Sequence, residues 1–472
     1  MQHATETMNY SLDDTIAAIA TAPGEAGIGI VRISGAEALP ILQNIFRPAA
    51  PAWQPESHRM VYGSLVDEQG EPLDEVMAVW FKAPRSYTRE DVVEIHSHGG
   101  SVAVRQALSR VLREGARLAE PGEMTLRAFL NGRLDLAQAE AVLDMVRART
   151  EAGMHAAMEQ LGGALSQEIR QARQELIDVL AHLIATIDFP EDDVPPQDIS
   201  PELQDVLDTL DRLLRNAERG LLLREGIRVA IVGRPNVGKS SLLNRLLRHE
   251  RAIVTEIPGT TRDLLEESLN LRGIPIVLTD TAGIRDTVDV VEAIGVERSR
   301  TALQHADLIL FVVDASKPLA AQDYALAEAV DGRPVIVVEN KQDILDGGQP
   351  TPDDHLPVLT PSDILPDAPH VAISALEGTG VDELEEQMWE MVMGGKISPS
   401  DAALITNPRH KQAIQQARDH IAAALDGAAL GMPADFLTID LHAAVNALGE
   451  ITGETATEDL LDAIFSRFCI GK

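Results

Sequence analysis

The chain has 472 residues, 45% of them hydrophobic, a formal net charge of −34 and one cysteine. That length implies about three domains, and the negative surface repels nucleic acid at long range, so action on RNA requires a local basic patch or a partner that supplies the positive field. No apolar run reaches the ~18 residues of a membrane span, and the lone Cys469 excludes an internal disulfide framework and fits a reducing compartment. Asp13 and Asp14 stand where a secretory leader is neutral or basic, so a cytoplasmic protein is expected.

Residues 1–131 mix short apolar runs with Gly and Pro turns; Ile28–Ile33 and Val76–Phe81 read as strands and Val102–Leu112 as a helix, an α/β domain. From Leu134 to Ile187 the pattern turns helical. Ile169, Ala172, Leu176, Val179, Leu183 and Ile187 fall on one face of a long helix. The acidic, proline-rich stretch Asp188–Pro201 is a break, and residues 132–221 read as the first segment of a helical domain. Residues 222–394 form an α/β unit, with continuous apolar runs at Arg228–Val232, Ile276–Leu278, Leu308–Val313 and Val335–Val338 separated by helical stretches. Over 395–472 the helical texture returns. Ile414, Ala417, Ile421 and Leu425 make one stripe, and Leu460, Leu461, Ile464, Phe465 and Phe468 another, with Thr457 ahead of Glu458 and Asp459 as an N-cap. A multidomain chain is expected: an α/β N-terminal domain, an α-helical bundle built from two chain segments, and an α/β unit inserted between them.

The inserted unit carries the chemistry. Gly233-Arg-Pro-Asn-Val-Gly238-Lys239-Ser240 follows the strand Arg228–Val232 and opens the helix Ser241–Leu247, the context of a phosphate-binding loop. Its glycines let backbone N–H groups face the phosphates at a helix N-terminus. Asn236, Val237, Gly238, Lys239, Ser240 and Ser241 are expected around the phosphates, with Lys239 on the β- and γ-phosphates and Ser240 on Mg²⁺. Asp280, Thr281, Ala282 and Gly283 follow the strand Ile276–Leu278; Asp280 is placed to hold Mg²⁺ through water and the Gly283 N–H to meet the γ-phosphate. Asn340, Lys341, Gln342 and Asp343 follow the strand Val335–Val338. The Asp343 carboxylate can accept from guanine N1–H and the 2-amino group, donors that adenine lacks there. Ser374, Ala375 and Leu376 come after another short strand, where a backbone N–H can meet guanine O6. The unit therefore reads as a P-loop GTPase (Ras-like) domain that binds and hydrolyses GTP.

At this point the sequence resembles the translation-factor-related GTPases, and among them the group with a G-R-P-N-x-G-K-S loop. Gly259-Thr-Thr-Arg-Asp263 resembles that group's first switch, which makes Thr261 the implied second Mg²⁺ ligand. Ile284 follows Gly283 where Ras-like members carry the glutamine that positions water; an alkyl side chain cannot do so, and catalysis needs another source.

The flanks narrow the resemblance. Val31–Gly35, Glu90–Gly100, Pro121–Glu123, Arg127–Leu136, Ile187–Pro190 and the terminal Phe468-Cys-Ile-Gly-Lys472 are similar to the tRNA-modification GTPase MnmE (TrmE) family, across all three zones. The resemblance implies a homodimer through the N-terminal domain. It implies a heterotetramer with a flavin-dependent partner, MnmG, that installs an aminomethyl-type (carboxymethylaminomethyl) group on C5 of the wobble uridine of certain tRNAs. It places a 5-formyl- or related tetrahydrofolate in the N-terminal domain, at Arg32, Glu94, Arg133 and Lys472. A carboxylate suits the donor edge of a pterin and cations suit a glutamate tail; Arg133 stands where many members have Lys. It implies K⁺ beside the β- and γ-phosphates, on Asn236 and the loop Thr255, Glu256, Ile257, Pro258, Gly259, Thr260, with Thr255, Ile257 and Thr260 among its ligands. Glu292 matches the family's water-orienting carboxylate and compensates for Ile284, while Asp286 and Asp289 read as solvated. Cys469 falls beside the one-carbon donor, where Lys472 favours its thiolate, which makes Glu292, Lys239 and Cys469 the implied catalytic set.

His96 and His98 share a strand face, but no further Cys or carboxylate–His cluster completes a metal site. Ser97 sits in no Gly-x-Ser-x-Gly elbow. Cys469 can equally be a packed core thiol. A stand-alone regulatory GTPase of ribosome or RNA assembly is the alternative function; it needs neither the Cys469–Lys472 tail nor the folate-like motifs.

Overall fold

The computed structural model describes residues 13–50, 53–189, 198–249, 267–279, 306–345, 364–394 and 404–471. Near the N-terminus, seven strands are ordered β3-β4-β5-β6-β2-β1-β7: β1 Ile16–Ile19, β2 Ala26–Ser34, β3 Phe46–Pro48, β4 Val61–Val66, β5 Pro72–Phe81, β6 Val92–Gly99 and β7 Arg117–Leu118. Helices α1 (Ala38–Ile45) and α2 (Ser101–Arg113) cover one face, where Val31 and Ile33 of β2 pack with Ile95, Ile41 and Ala107. Strand alternation turns Arg32 to the other face, and the antiparallel β2–β6 register sets it directly opposite Glu94.

The helical zone expected over Leu134–Ile187 is three helices. After α3 (Glu123–Leu130), α4 (Leu136–Arg147) opens on a capping box between Asp135 and Gln138. Thr150 accepts from Gly153 N–H to start α5 (Glu151–Leu161), and the left-handed Gly163 turns the chain into α6 (Ala164–Asp188). The α6 stripe is buried from Leu165 to Leu183, but Ile187 is 36% exposed. It lies on the last turn of the helix, beyond the core, which corrects its place in the stripe. Helix α7 (Ser200–Glu225) then leads into the inserted unit.

Six strands there are ordered β13-β12-β11-β8-β10-β9: β8 Ile227–Val232, β9 Glu267–Leu271, β10 Ile274–Thr279, β11 Leu308–Asp314, β12 Val335–Asn340 and β13 His370–Ile373. All pairs are parallel except β9–β10. Every residue of β11 is buried, the signature of a strand covered on both faces. The described helices of this unit are α8 (Lys239–His249), α9 (Ala321–Val330), α10 (Gln342–Leu345) and α11 (Val381–Met393).

The chain then returns to the helical layer as α12 (Pro408–Ala429), α13 (Ala434–Thr452) and α14 (Glu458–Phe465). Ile414, Ala417 and Ile421 of α12 share one core with Leu176 of α6, Leu210 of α7 and Leu441 of α13, with Leu425 partly buried against it. Thr457 caps α14 by accepting from Leu460 N–H. Ile464, Phe465 and Phe468 pack on Leu126, Leu136 and Leu143 of α3 and α4. Burial of Phe465 contributes about 2–3 kcal/mol to that docking. The molecule is thus a multidomain chain with an α/β N-terminal domain, a helical bundle made of two segments and an inserted P-loop α/β domain. No helix among the described residues is long and apolar enough to cross a membrane.

Candidate functional site

Strand β8 delivers the chain into the loop 233–238 and α8 carries it away, the strand–loop–helix context the phosphate-loop pattern requires. Gly238 has φ +102°, and a Cβ there would lie 2.1 Å from Asn340 Nδ2, so only glycine fits. Asn236 also adopts positive φ, +67°, and is exposed at the tip. The Lys239 ammonium donates to the Gly233 and Arg234 carbonyls at 2.7 and 2.8 Å. It thereby ties the start of the loop to the first residue of α8. Burial pushes the Lys239 pKa down from its ordinary value.

Asn340 ties the loops together. Its Nδ2 donates to Val237 O at 2.8 Å, and its Oδ1 accepts from Ala375 N–H at 2.9 Å. Lys341 donates to Asn236 O at 2.8 Å and pairs with Asp314 at 2.7 Å. Burial alone would raise the Asp314 carboxyl, but the Lys341 and Ser316 hydrogen bonds hold it below its usual range. Ser374 Oγ donates to Asp343 Oδ1 at 2.6 Å. This fixes the carboxylate and leaves Oδ2 for a ligand. The Ser374 and Ala375 N–H groups are already bonded, to Thr379 O and Asn340 Oδ1. Of the expected stretch, Leu376 carries the free N–H, at a 75% exposed position on the lip. Arg245 of α8 donates to the Ala375 and Leu376 carbonyls and braces that lip. Sequence reasoning missed Asp314 and Arg245. Asp314 had one legible signal, a carboxylate closing an otherwise apolar strand.

Thr255–Thr261, Asp280–Gly283, Ile284, Asp286, Asp289 and Glu292, and with them the expected second Mg²⁺ ligand, the K⁺ loop and the water-orienting carboxylate, lie outside the described residues, as does Lys472.

A second cluster sits on the sheet face opposite α1 and α2. Arg32 donates to Glu94 Oε1 from Nε at 2.9 Å and Nη2 at 2.8 Å, and His96 Nε2 lies 3.3 Å from Glu94 Oε2. Arg32 and Arg133 guanidinium carbons lie 5.4 and 4.7 Å from the Tyr87 ring centroid, one residue that the sequence did not single out. Glu94, Tyr87 and Arg133 line an open cavity of about 490 Å³, within the range of small-molecule sites. Arg32, Glu94 and Arg133, distant in sequence, are therefore brought together.

The C-terminal tail approaches the same domain. Gly122 N–H donates to Cys469 O at 3.5 Å. Gly471, at φ +95°, sits so close to β1 that a Cβ would meet Ile19 O at 2.2 Å. β1 is the neighbour of the strand that bears Arg32. Cys469 is exposed rather than packed in a core. His98 is engaged by Asp74 at 2.6 Å, which raises its pKa, and no group of three metal-ligating side chains exists among the described residues.

Two family models match the chain, described as "GTP-binding protein TrmE N-terminus" over residues 15–133 and "MnmE helical domain" over residues 136–469. Curated relatives include proteins named tRNA modification GTPase MnmE from Chloroflexus aurantiacus, 52% identical over 98% of this chain and 100% of the relative, and from Roseiflexus castenholzii, 52% identical over 98% and 99%. A third, from Alkaliphilus oremlandii, is 47% identical over 98% of this chain and 100% of its own length.

Proposed function

The chain belongs to the MnmE (TrmE) family of tRNA modification GTPases, and on that premise we propose that its GTP cycle drives addition of a carboxymethylaminomethyl-type group to C5 of the wobble uridine. It is a hydrolase acting on GTP in tRNA modification. In our reading it works as a homodimer with a flavin-dependent MnmG partner, which brings the positive surface that a chain of net charge −34 lacks.

Within the nucleotide site, Lys239 contacts the β- and γ-phosphates, Ser240 and Thr261 hold Mg²⁺, and Asp343 reads guanine. K⁺ on Asn236, Thr255, Ile257 and Thr260 supplies the cation that an arginine finger supplies elsewhere, and Glu292 orients the attacking water. A reduced folate would be held in the cavity by Glu94 and Arg133, with Arg32 paired to Glu94 and Lys472 as the proposed fourth contact. The donor set fits it: a carboxylate beside a sandwiched aromatic ring suits a flat ligand with a donor edge, and guanidinium groups suit its glutamate. Bound folate would supply the one-carbon unit, with Cys469, on the tail that reaches this domain, as the candidate thiol. The matching division of the chain is 1–131 for folate binding and dimerisation, 132–221 and 395–472 for the helical domain, and 222–394 for the GTPase domain.

The observation that carries this reading is the approach of Gly471 to β1, the neighbour of the strand that bears Arg32, because a stand-alone assembly GTPase has no need for its terminus to dock on the N-terminal domain. The test is mass analysis of wobble uridines in tRNA from a strain lacking this chain. Loss of the aminomethyl-type increment, restored by the intact gene, is expected. Unmodified mass profiles in both strains would transfer the protein to the regulatory alternative.

A further inference from the structure

The cavity beside Glu94 has a feature that the Arg32–Glu94 pair does not use. Its rim carries Arg85, Arg89 and Arg133, and Lys82 follows the lining residue Phe81. All four are exposed, and none has a carboxylate within ion-pair distance among the described residues. Elsewhere exposed cations such as Arg59, Arg113 and Arg272 are matched, by Glu56, Glu68 and Glu386.

Neither acid of the same loop forms an ion pair with these cations. Glu90 accepts from Ser34 at 2.6 Å and pairs with the buried Arg127, and Asp91 Oδ1 accepts from Ala83 N–H at 2.8 Å. Arg89 donates to Asn131 O and Arg133 to Tyr87 O. These bonds fix the two side chains and leave their other donors free. Three unmatched cations at one rim repel one another, and in a chain with 74 acidic residues against 40 basic ones they create a local field opposite to that of the whole. The two parts of the cavity thus suit two parts of one ligand, a flat ring with a donor edge against Glu94 and Tyr87, and a multiply anionic chain along the rim.

We propose that this cavity selects a poly-γ-glutamylated tetrahydrofolate, whose successive tail carboxylates are matched by Arg85, Arg89 and Arg133. The inference rests on the folate reading above and adds a tail-length preference to it. One exposed ion pair changes an equilibrium by a factor of about 1.5 to 5, so several together give roughly tenfold or more. Because the rim is exposed, the effect is screened by salt.

The experiment compares 5-formyltetrahydrofolate carrying one and five glutamates, titrated calorimetrically into the full-length protein at low and high salt. Tighter binding of the pentaglutamate by about tenfold at low salt, shrinking as salt rises, is expected. The double variant Arg85→Ala, Arg89→Ala, which leaves Arg133 for the first glutamate, should remove most of the pentaglutamate's advantage and leave the monoglutamate nearly unchanged. Equal affinity of the two forms for the native protein overturns the proposal and leaves the folate reading standing. Binding of neither form, by protein that still binds GTP, overturns both. A double variant that keeps its tail preference but loses retention of tRNA assigns the rim to RNA phosphates and overturns the proposal as well.

Discussion

Glu140→Ala should release the start of α12, the helix that begins where the chain returns from the GTPase domain. Glu140, on α4, is buried and accepts from Asn407 Nδ2 at 2.7 Å, Arg409 Nε at 3.2 Å, Arg409 Nη2 at 2.5 Å and His410 Nε2 at 2.7 Å. Burial alone would raise its carboxyl; His410 and Arg409 outweigh it and bring the pKa down from 4.5 to about 2. Burial pushes the fully enclosed His410 imidazole below its ordinary value, so at neutral pH it is uncharged and donates Nε2–H. The charge match is then mainly Arg409. Removing one partner of such a buried pair costs about 3–5 kcal/mol. Arg409 keeps a bond to Glu450 O at 2.7 Å, which favours the low end, about 3 kcal/mol.

Hydrogen exchange is the assay, because a multidomain chain has no single unfolding free energy. Amides in the first turns of α12 should lose roughly a hundredfold of protection, while those of α2 stay unchanged. The folded pKa lies below the unfolded one, so the stabilisation is complete above about pH 4.5 and lost as pH falls toward 2. The gap between native protein and variant should therefore close over that window. A gap that is absent at pH 7, or constant down to pH 3, would refute the reasoning.

Asp343→Asn, with Oδ1 still reached by Ser374, should weaken GTP on the order of a hundredfold or more and favour XTP; an unmoved GTP preference would remove Asp343 from base recognition. Replacing Na⁺ by K⁺ at constant ionic strength should raise GTP turnover steeply, on the scale of about 10³–10⁵ seen for a catalytic arginine, and Asn236→Ala should blunt the rise; equal rates in the two salts would exclude the monovalent site. Gly471→Val puts a Cβ 2.2 Å from Ile19 O at φ +95°, a strain of about 1–3 kcal/mol that should detach the tail; folate binding should fall while GTP binding persists, and full-strength folate binding would break the link between the termini.

The inserted domain was legible because its signals are local. A buried parallel strand is a continuous apolar run, and the phosphate loop is fixed by glycines at set spacing between strand and helix. The breaks inside the first helical segment were also written locally, at Thr150 and Gly162–Gly163, but three turns of matching periodicity on either side masked them. The polar clusters were not legible. Glu140 meets Arg409 across 269 positions, and Tyr87 meets Arg32 and Arg133 from a loop with no periodicity. Such partners are chosen by the packing of domains, not by spacing. The Arg32–Glu94 pair was found through the family resemblance; the strand register then supplied the physical reason for it.

The two-segment core has a consequence for synthesis. Leu176 and Leu210 are made before the GTPase domain, and Ile414 and Leu441, which cover them, after it. At ribosomal rates of about 5–20 residues per second, the interval between Glu225 and Pro408 lasts on the order of ten to forty seconds. For that time α6 and α7 present an uncovered apolar seam, while the GTPase domain, contiguous in the chain, can fold at once. The nascent protein is thus a finished nucleotide-binding unit hung on a half-built helical frame. That stage is the one at which a chaperone, or the same seam on a second nascent chain, competes for Leu176 and Leu210.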